Sequence, residues 1–230
     1  GDIGCYAIGV LPPFEEMDML ISMGASIGMA HGARQAGLPD KVVATIGDST
    51  FFHAGLPALA NIVYNRGVAC TMILDNATTA MTGGQDNPAT GVTLRGEMTG
   101  AIDIAAVVQA LGVRDMWTVD ALNVAAVEAA LRAALAVEDR PTVVLVRGAC
   151  VFTPGFQRRP VAAVDHRLCN GCGQCLRVGC PSISRSDETD AKTGRAKAQI
   201  DPLLCAGCTV CLQVCPRKAI HQVRAGGAEA

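Results

Sequence analysis

Aromatic residues are scarce, with one tryptophan, two tyrosines and five phenylalanines in 230 residues. Any core must therefore be built mainly from Ala, Val, Leu, Ile and Met. Charge is also sparse, at 17% of residues, and nearly balanced at a net −2. That excludes the basic surplus expected of a nucleic-acid-binding chain. Long apolar runs are missing too: the stretches 101–113 and 124–137 are short and interrupted, which argues against a membrane span. Nothing reads as a signal peptide, so the cytoplasm is the expected location. The chain opens on Gly1 and runs straight into the turn-like Gly-Asp-Ile-Gly. It reads as a fragment of a longer polypeptide, cut after a strand and truncated at the start of its first domain.

The near-balance of charge hides an asymmetry. Residues 1–157 carry 8 Lys/Arg against 15 Asp/Glu, and residues 158–230 carry 11 against 6. A basic tail suggests an acidic partner, but any bound anionic group would offset the same surplus locally. Cysteine is distributed unevenly as well. Eight of the 11 fall between Cys169 and Cys215, a pattern of metal ligation in a reducing compartment rather than of disulfides.

Residues 1–150 alternate apolar β-branched runs with helical patterns, the mark of a parallel α/β architecture. Strands are predicted at 42–46, 68–74 and 142–146, and helices at 54–64, 102–111 and 124–137. An earlier helix, 17–35, carries Gly24, Gly28 and Gly32. Glycines at that spacing weaken a helix unless its backbone must approach another helix or a ligand. Residues 78–99 hold four glycines and no clear period. They read as a long functional loop after a strand's carboxyl end. The expected organisation is an α/β domain at 1–151, a linker at 152–164, and a small α+β domain at 165–230.

That small domain contains an internal repeat in which Cys169 matches Cys205. The first copy is Cys169-x₂-Cys172-x₂-Cys175-x₄-Cys180-Pro, and the second is Cys205-x₂-Cys208-x₂-Cys211-x₃-Cys215-Pro. Three thiolates at this spacing wrap one corner of a cubane, while the fourth, before proline, reaches the neighbouring cluster. One [4Fe–4S] cluster is thus assigned to Cys169, Cys172, Cys175 and Cys215, and the other to Cys205, Cys208, Cys211 and Cys180. Glycines 171, 173 and 207 would let backbone N–H groups approach the sulfurs. Structural zinc also uses Cys-x₂-Cys pairs, but two interlocked triplets, each followed by Cys-Pro, have no ready zinc explanation. The intervening 182–200 reads as a solvated hairpin. Cys70 and Cys150 sit in apolar, strand-like settings and read as core. Cys5 follows a Gly-rich turn, and two readings stay open for it, ligand contact or none.

Gly47-Asp48-Ser49 follows the first predicted strand, and the second ends at Asn76 one strand–helix–strand unit later. Both side chains then leave parallel strands at one sheet edge, where open α/β sheets bind ligands. A hard divalent cation takes such oxygen ligands and bridges them to phosphates. The helix that follows would point its amino end at a diphosphate.

With these motifs the sequence resembles the thiamine-diphosphate enzymes, and among them the 2-oxoacid:ferredoxin oxidoreductases, most nearly the indolepyruvate branch. The matching pieces are 1–6, 23–28, Gly47-Asp48-Ser49-Thr50-Phe51-Phe52-His53 and the run from Leu74 to Gln85. The cysteine module resembles bacterial two-cluster ferredoxins. The resemblance implies Mg²⁺ held by Asp48, Asn76 and the Thr78 carbonyl. It also implies a diphosphate and thiazolium lined by Gly47, Ser49, Thr82, Gly83, Gly84 and Gln85. His53 and Cys5 become possible active-site contacts, although His53 reads equally as a helix-start histidine. Gly24, Ala25 and Ser26 read either as cofactor contacts or as helix packing.

The activity implied is oxidative decarboxylation of an aryl 2-oxo acid to an acyl-CoA, with electrons passing through the clusters to ferredoxin. Pyruvate, 2-oxoglutarate and phenylglyoxylate remain alternative substrates. A non-catalytic electron-transfer subunit is the alternative of a different class. The activating glutamate of such enzymes belongs to an upstream pyrimidine-binding domain, and none of Glu15, Glu16 or Glu97 lies in a matching motif. A small β subunit is the other implied partner.

Overall fold

The structure, a computed structural model, describes residues 1–153, 155–157 and 159–223. Pro154 and Arg158 of the expected linker, and 224–230 of the expected second domain, lie outside the described residues. The chain divides into two compact units, Gly1–Leu11 with Glu15–Phe156, and Pro12–Phe14 with the residues from Gln157 on.

In the first unit, helix α1 (Ala25–Gln35) leads to strand β1 (Val43–Gly47). A continuous helical run follows, as α2 (Asp48–Thr50), a π turn (Phe51–Gly55) and α3 (Leu56–Tyr64). Then come β2 (Cys70–Asp75), α4 (Ile104–Ala110), β3 (Asp115–Asp120), α5 (Val124–Ala136) and β4 (Thr142–Arg147). The four strands pair in parallel in the order β1-β2-β4-β3. The expected parallel α/β architecture is therefore the observed one. β4 shows why: Val143 and Leu145 enter one buried cluster with Ile46, Leu59, Ile73 and Val108. Val144 and Val146 enter the opposite cluster with Cys70, Ala130 and Ala134. A strand covered on both faces reads as a continuous apolar run, and each fully buried Leu or Ile contributes roughly 1.5–3 kcal/mol. Asp103 and Asn123 cap α4 and α5, accepting the Ala106 and Ala126 N–H groups at 2.9 and 3.1 Å.

Several expectations need correction. The predicted helix 17–35 begins only at Ala25. Gly24 takes a left-handed φ of 86°, and the Asp2 carboxylate accepts the N–H groups of Gly24 (2.8 Å) and Ser26 (3.1 Å). A fully buried anion there satisfies orphan donors at the positive end of the helix. Only Gly24 of the three helix glycines is closely approached, its missing Cβ being replaced by Ala54. Gly28 and Gly32 face open space among the described residues. Strand β3 was not foreseen. Its termini are Asp115 and Asp120 and no residue in it is buried, so it lacks an apolar run. Cys150 is half-buried beyond β4 rather than in the core.

The second unit pairs β5 (Val161–Val164) antiparallel with β8 (Ile220–Val223). Between them lie a 3₁₀ turn (Gln174–Val178), the hairpin β6 (Ile183–Thr189) and β7 (Ala196–Ile200), and α6 (Val210–Val214). The hairpin matches the expectation for 182–200. The linker does not hold as drawn, because 161–164 is a strand of this unit. The buried core is small, made of Ala162, Ile183, Ala198 and Ile220 with Cys175 and Cys211. Cores of that size are commonly supplemented by a bound metal group or disulfides.

Candidate functional site

β1 and β2 run side by side with Gly47 opposite Leu74, so Asp48 and Asn76 emerge at the same carboxyl edge. Asp48 is 2% exposed, and its Oδ2 accepts a hydrogen bond from Asn87 Nδ2 at 3.1 Å. Burial pushes this carboxyl above its usual value, partly opposed by the hydrogen bond from Asn87. The Asn76 side-chain oxygen accepts the Thr78 N–H at 3.2 Å, and the Ala77 N–H goes to Asp75 Oδ1 at the same distance. Arg147 Nε holds the other Asp75 oxygen at 3.0 Å. These contacts draw the chain at Ala77 into a left-handed φ of 59°, and Thr78 is buried beneath.

The loop beyond folds onto itself. Thr79 N–H donates to the Gln85 carbonyl at 2.9 Å, Gln85 Nε2 donates to the Thr82 carbonyl at 2.7 Å, and Gly83 and Gly84 supply φ values of 120° and 81°. Structurally, then, Asp48, Asn76, Thr78 and the loop 82–85 form one rim. Gly47 behaves differently from expectation. Its N–H donates to the Tyr6 hydroxyl at 2.9 Å, and an added Cβ would meet the Tyr6 ring at 3.4 Å. Gly47 therefore fits against Tyr6, and its N–H is already engaged. Burial, then Asp2, push the Tyr6 hydroxyl above its usual value.

The remaining first-unit residues are less committed. Cys5 is exposed in a 3₁₀ turn (Cys5–Val10), next to Tyr6. His53 is exposed on the π turn. Gly24 packs against Ala54, which favours its packing role. The Ser26 hydroxyl is buried with no hydrogen-bond partner, an orphaned polar atom that a bound ligand would satisfy. A buried carboxylate, an amide oxygen and backbone carbonyls suit a hard divalent cation. The residues present thus fit a magnesium-bridged diphosphate. Sequence reasoning gave no role to Asn87, nor to Asp2 and Tyr6 individually, although those two lie in the matching stretch 1–6.

In the second unit the cysteines gather as two crossed sets. Cys169, Cys172, Cys175 and Cys215 line one cavity. The Cys175 thiol is raised by burial first, then by the neighbouring charges of Cys169, Cys215 and Cys172. Cys211 is pushed up to about 12, by burial first and then by Cys208, Cys205 and Cys180. Each triplet therefore meets the Cys-Pro cysteine of the other repeat. Four cysteines lining one cavity are the donor type that a [4Fe–4S] cubane takes. Hydrogen bonds reach the sulfurs from Ala162 N–H to Cys205 (3.4 Å) and from Ala219 N–H to Cys215 (3.3 Å). The glycines need a different explanation from the one expected. A Cβ on Gly171 would meet the Ala196 carbonyl at 2.8 Å, and one on Gly207 would strike the Arg159 carbonyl. Both are kept small by protein backbone.

Residues 2–146 match the family described as thiamine pyrophosphate enzyme, C-terminal TPP binding domain. The chain belongs to that family. Residues 160–219 match the 4Fe-4S dicluster domain, so a thiamine pyrophosphate domain and an iron–sulfur domain share one polypeptide. The indolepyruvate oxidoreductase subunit IorA of Pyrococcus horikoshii is 42% identical over 244 residues, covering 98% of this chain and 37% of its own length. The subunit of the same name from Thermococcus kodakarensis is 41% identical over the same shares. The chain thus spans 37% of the length of these curated relatives. A 2-oxoglutarate:ferredoxin oxidoreductase from Magnetococcus marinus shares the fold with a TM-score of 0.56 and 17% identity, over 65% of this chain and 53% of that one. No helix among the described residues is long and apolar enough to cross a membrane.

Proposed function

We propose that this chain is the thiamine-binding and electron-relay part of a cytoplasmic 2-oxoacid:ferredoxin oxidoreductase of the indolepyruvate type. The reaction takes an aryl 2-oxo acid and coenzyme A to an acyl-CoA and CO₂, while two electrons leave for ferredoxin and the protons of the thiol and acid go to solvent. One observation carries the reading: a buried carboxylate at a parallel-sheet edge and a cavity lined by Cys169, Cys172, Cys175 and Cys215 lie on the same chain. A non-oxidative decarboxylase would have no use for the second.

Asp48, Asn76 and the Thr78 carbonyl would hold Mg²⁺, and Asn87, which donates to the Asp48 carboxylate, would fix that ligand in place. The loop Thr82–Gln85 and Ser49 would line the diphosphate. Gly47 is better placed to seat Tyr6 than to donate to a phosphate. Thiamine diphosphate, when bound, supplies the electron sink that makes loss of CO₂ accessible. The eight cysteines would hold two [4Fe–4S] clusters, which carry electrons singly. The activating glutamate is expected on an upstream pyrimidine-binding domain, and a small subunit completes the enzyme.

The test is equilibrium dialysis of the full complex with thiamine diphosphate and Mg²⁺, followed by ferredoxin reduction with indolepyruvate, phenylpyruvate and pyruvate. Retention of the cofactor and fastest turnover of an aryl substrate are expected. Intact clusters without cofactor retention would leave only an electron-transfer scaffold. Faster turnover of pyruvate would sink the aryl assignment.

A further inference from the structure

The two cysteine sets are built from repeats, yet their sulfurs are not hydrogen-bonded alike. The Ser182 hydroxyl lies 3.0 Å from Cys180 Sγ and is 3% exposed. Ser182 follows Cys180-Pro181. The matching place after Cys215-Pro216 is taken by Arg217, so the second copy has no hydroxyl there. In the thiol form either atom of the Cys180–Ser182 pair could donate. A cysteine bound to iron has lost its proton and only accepts, which leaves Ser182 as the donor.

We propose that Ser182 donates a hydrogen bond to the Cys180 thiolate and makes the cluster of Cys205, Cys208, Cys211 and Cys180 the higher-potential of the two. This rests on reading the eight cysteines as ligands of two [4Fe–4S] clusters. One-electron reduction adds negative charge to a cluster and its sulfurs, and hydrogen bonds to sulfur favour that state. No proton changes hands, and Ser182 keeps its own. Among the described residues, Ser182 O–H and Ala162 N–H serve this set, against Ala219 N–H for the other. A charge-assisted bond from a buried hydroxyl is worth more than an ordinary one. Ser182 thus acts as a positioning residue for the electron, holding it on one cluster in preference to the other.

The experiment is a redox titration followed by electron paramagnetic resonance on the iron-loaded holoenzyme, unsubstituted and with Ser182→Ala, Ser182→Thr and Ser182→Val. Ala and Val are expected to lower the higher of the two midpoints by about tenfold in the reduction equilibrium, about 59 mV for one electron. Thr should restore it, and the other midpoint should stay put. If Ser182→Ala sheds iron, the Thr and Val pair, nearly alike in shape, reads the hydroxyl alone. Unmoved midpoints, both midpoints moving together, or Thr falling as low as Val would overturn the proposal. An unsubstituted enzyme without two clusters would overturn the ligand reading as well, which iron analysis detects separately.

Discussion

Asn87 donates its side-chain amide to the Asp48 carboxylate across 3.1 Å, so a residue of the long loop holds the charged residue at the end of β1. The same Asn87 uses its Oδ1 to accept the Ala89 N–H at 2.9 Å, which fixes the amide's orientation. Groups that orient a metal ligand typically contribute about 10- to 100-fold to metal affinity. Asn87→Ala is therefore expected to weaken retention of Mg²⁺ and thiamine diphosphate by about that factor, while cluster absorbance persists. Asp48→Ala should abolish retention with the clusters intact. Calorimetric titration of the holoenzyme measures both. Loss of cluster absorbance in Asp48→Ala would instead make Asp48 a structural residue.

Asp48 also predicts a pH dependence. Burial raises its folded value above the usual 3.8, so the fold prefers the neutral acid. The associated stability is fully present below 3.8 and is lost as pH rises through the raised value. Without cofactor at pH 7, the ionised carboxylate is a burden that Asp48→Asn relieves. The variant should melt higher than the unsubstituted protein at neutral pH, and the gap should close as pH falls through the carboxylate range. Adding Mg²⁺ and thiamine diphosphate should reverse the order, because binding stabilises only the chain that keeps the carboxylate. A variant that melts lower at pH 7 in the absence of cofactor would contradict the burial argument.

Much of this was legible in the sequence because some signals are periodic or punctuated. β4 is buried along nearly its whole length and declares itself as an apolar run, and the crossed cysteine sets follow from spacing before proline. β3 is an edge strand with Asp at each end, so tertiary pairing rather than composition makes it a strand. α1 read too long because its start after Gly24 depends on Asp2, a distant carboxylate that periodicity does not carry. Tyr6, although inside the matching stretch 1–6, carries no sign of its partner, and Asn87 lies in no matching stretch. Their partners, Gly47 and Asp48, lie 41 and 39 positions away in the chain.

The cluster-loop glycines separate backbone strain from crowding. Gly173 and Gly207 have similar left-handed φ values of 79° and 72°. A side chain at either costs about 1–2 kcal/mol from conformation alone. A Cβ on Gly173 meets nothing closer than 3.9 Å, whereas one on Gly207 strikes the Arg159 carbonyl. Gly173→Ala should therefore lower the melting temperature modestly and keep both clusters. Gly207→Ala should also lose iron from the set containing Cys205, Cys208 and Cys211. Equal damage from the two substitutions would show that crowding at Gly207 does not matter.

The crossing of the cysteine sets makes a prediction that local pairing reverses. In the proposed ligand sets Cys215 joins Cys169, Cys172 and Cys175, which line one cavity with it, and Cys180 joins Cys205, Cys208 and Cys211. Replacing two ligands of one cluster destroys one site, whereas replacing one ligand of each destroys both. Cys215→Ala combined with Cys172→Ala should keep about half of the iron, and Cys215→Ala combined with Cys208→Ala should keep almost none. If each repeat instead held its own cluster, the first pair would lose nearly everything and the second would keep half. Iron and sulfide analysis of the two double variants, purified without oxygen, decides between them. The single variant Cys180→Ala should also loosen β6, since its cysteine ties the start of that hairpin to the opposite repeat; faster amide exchange confined to 183–200 is the expected signature.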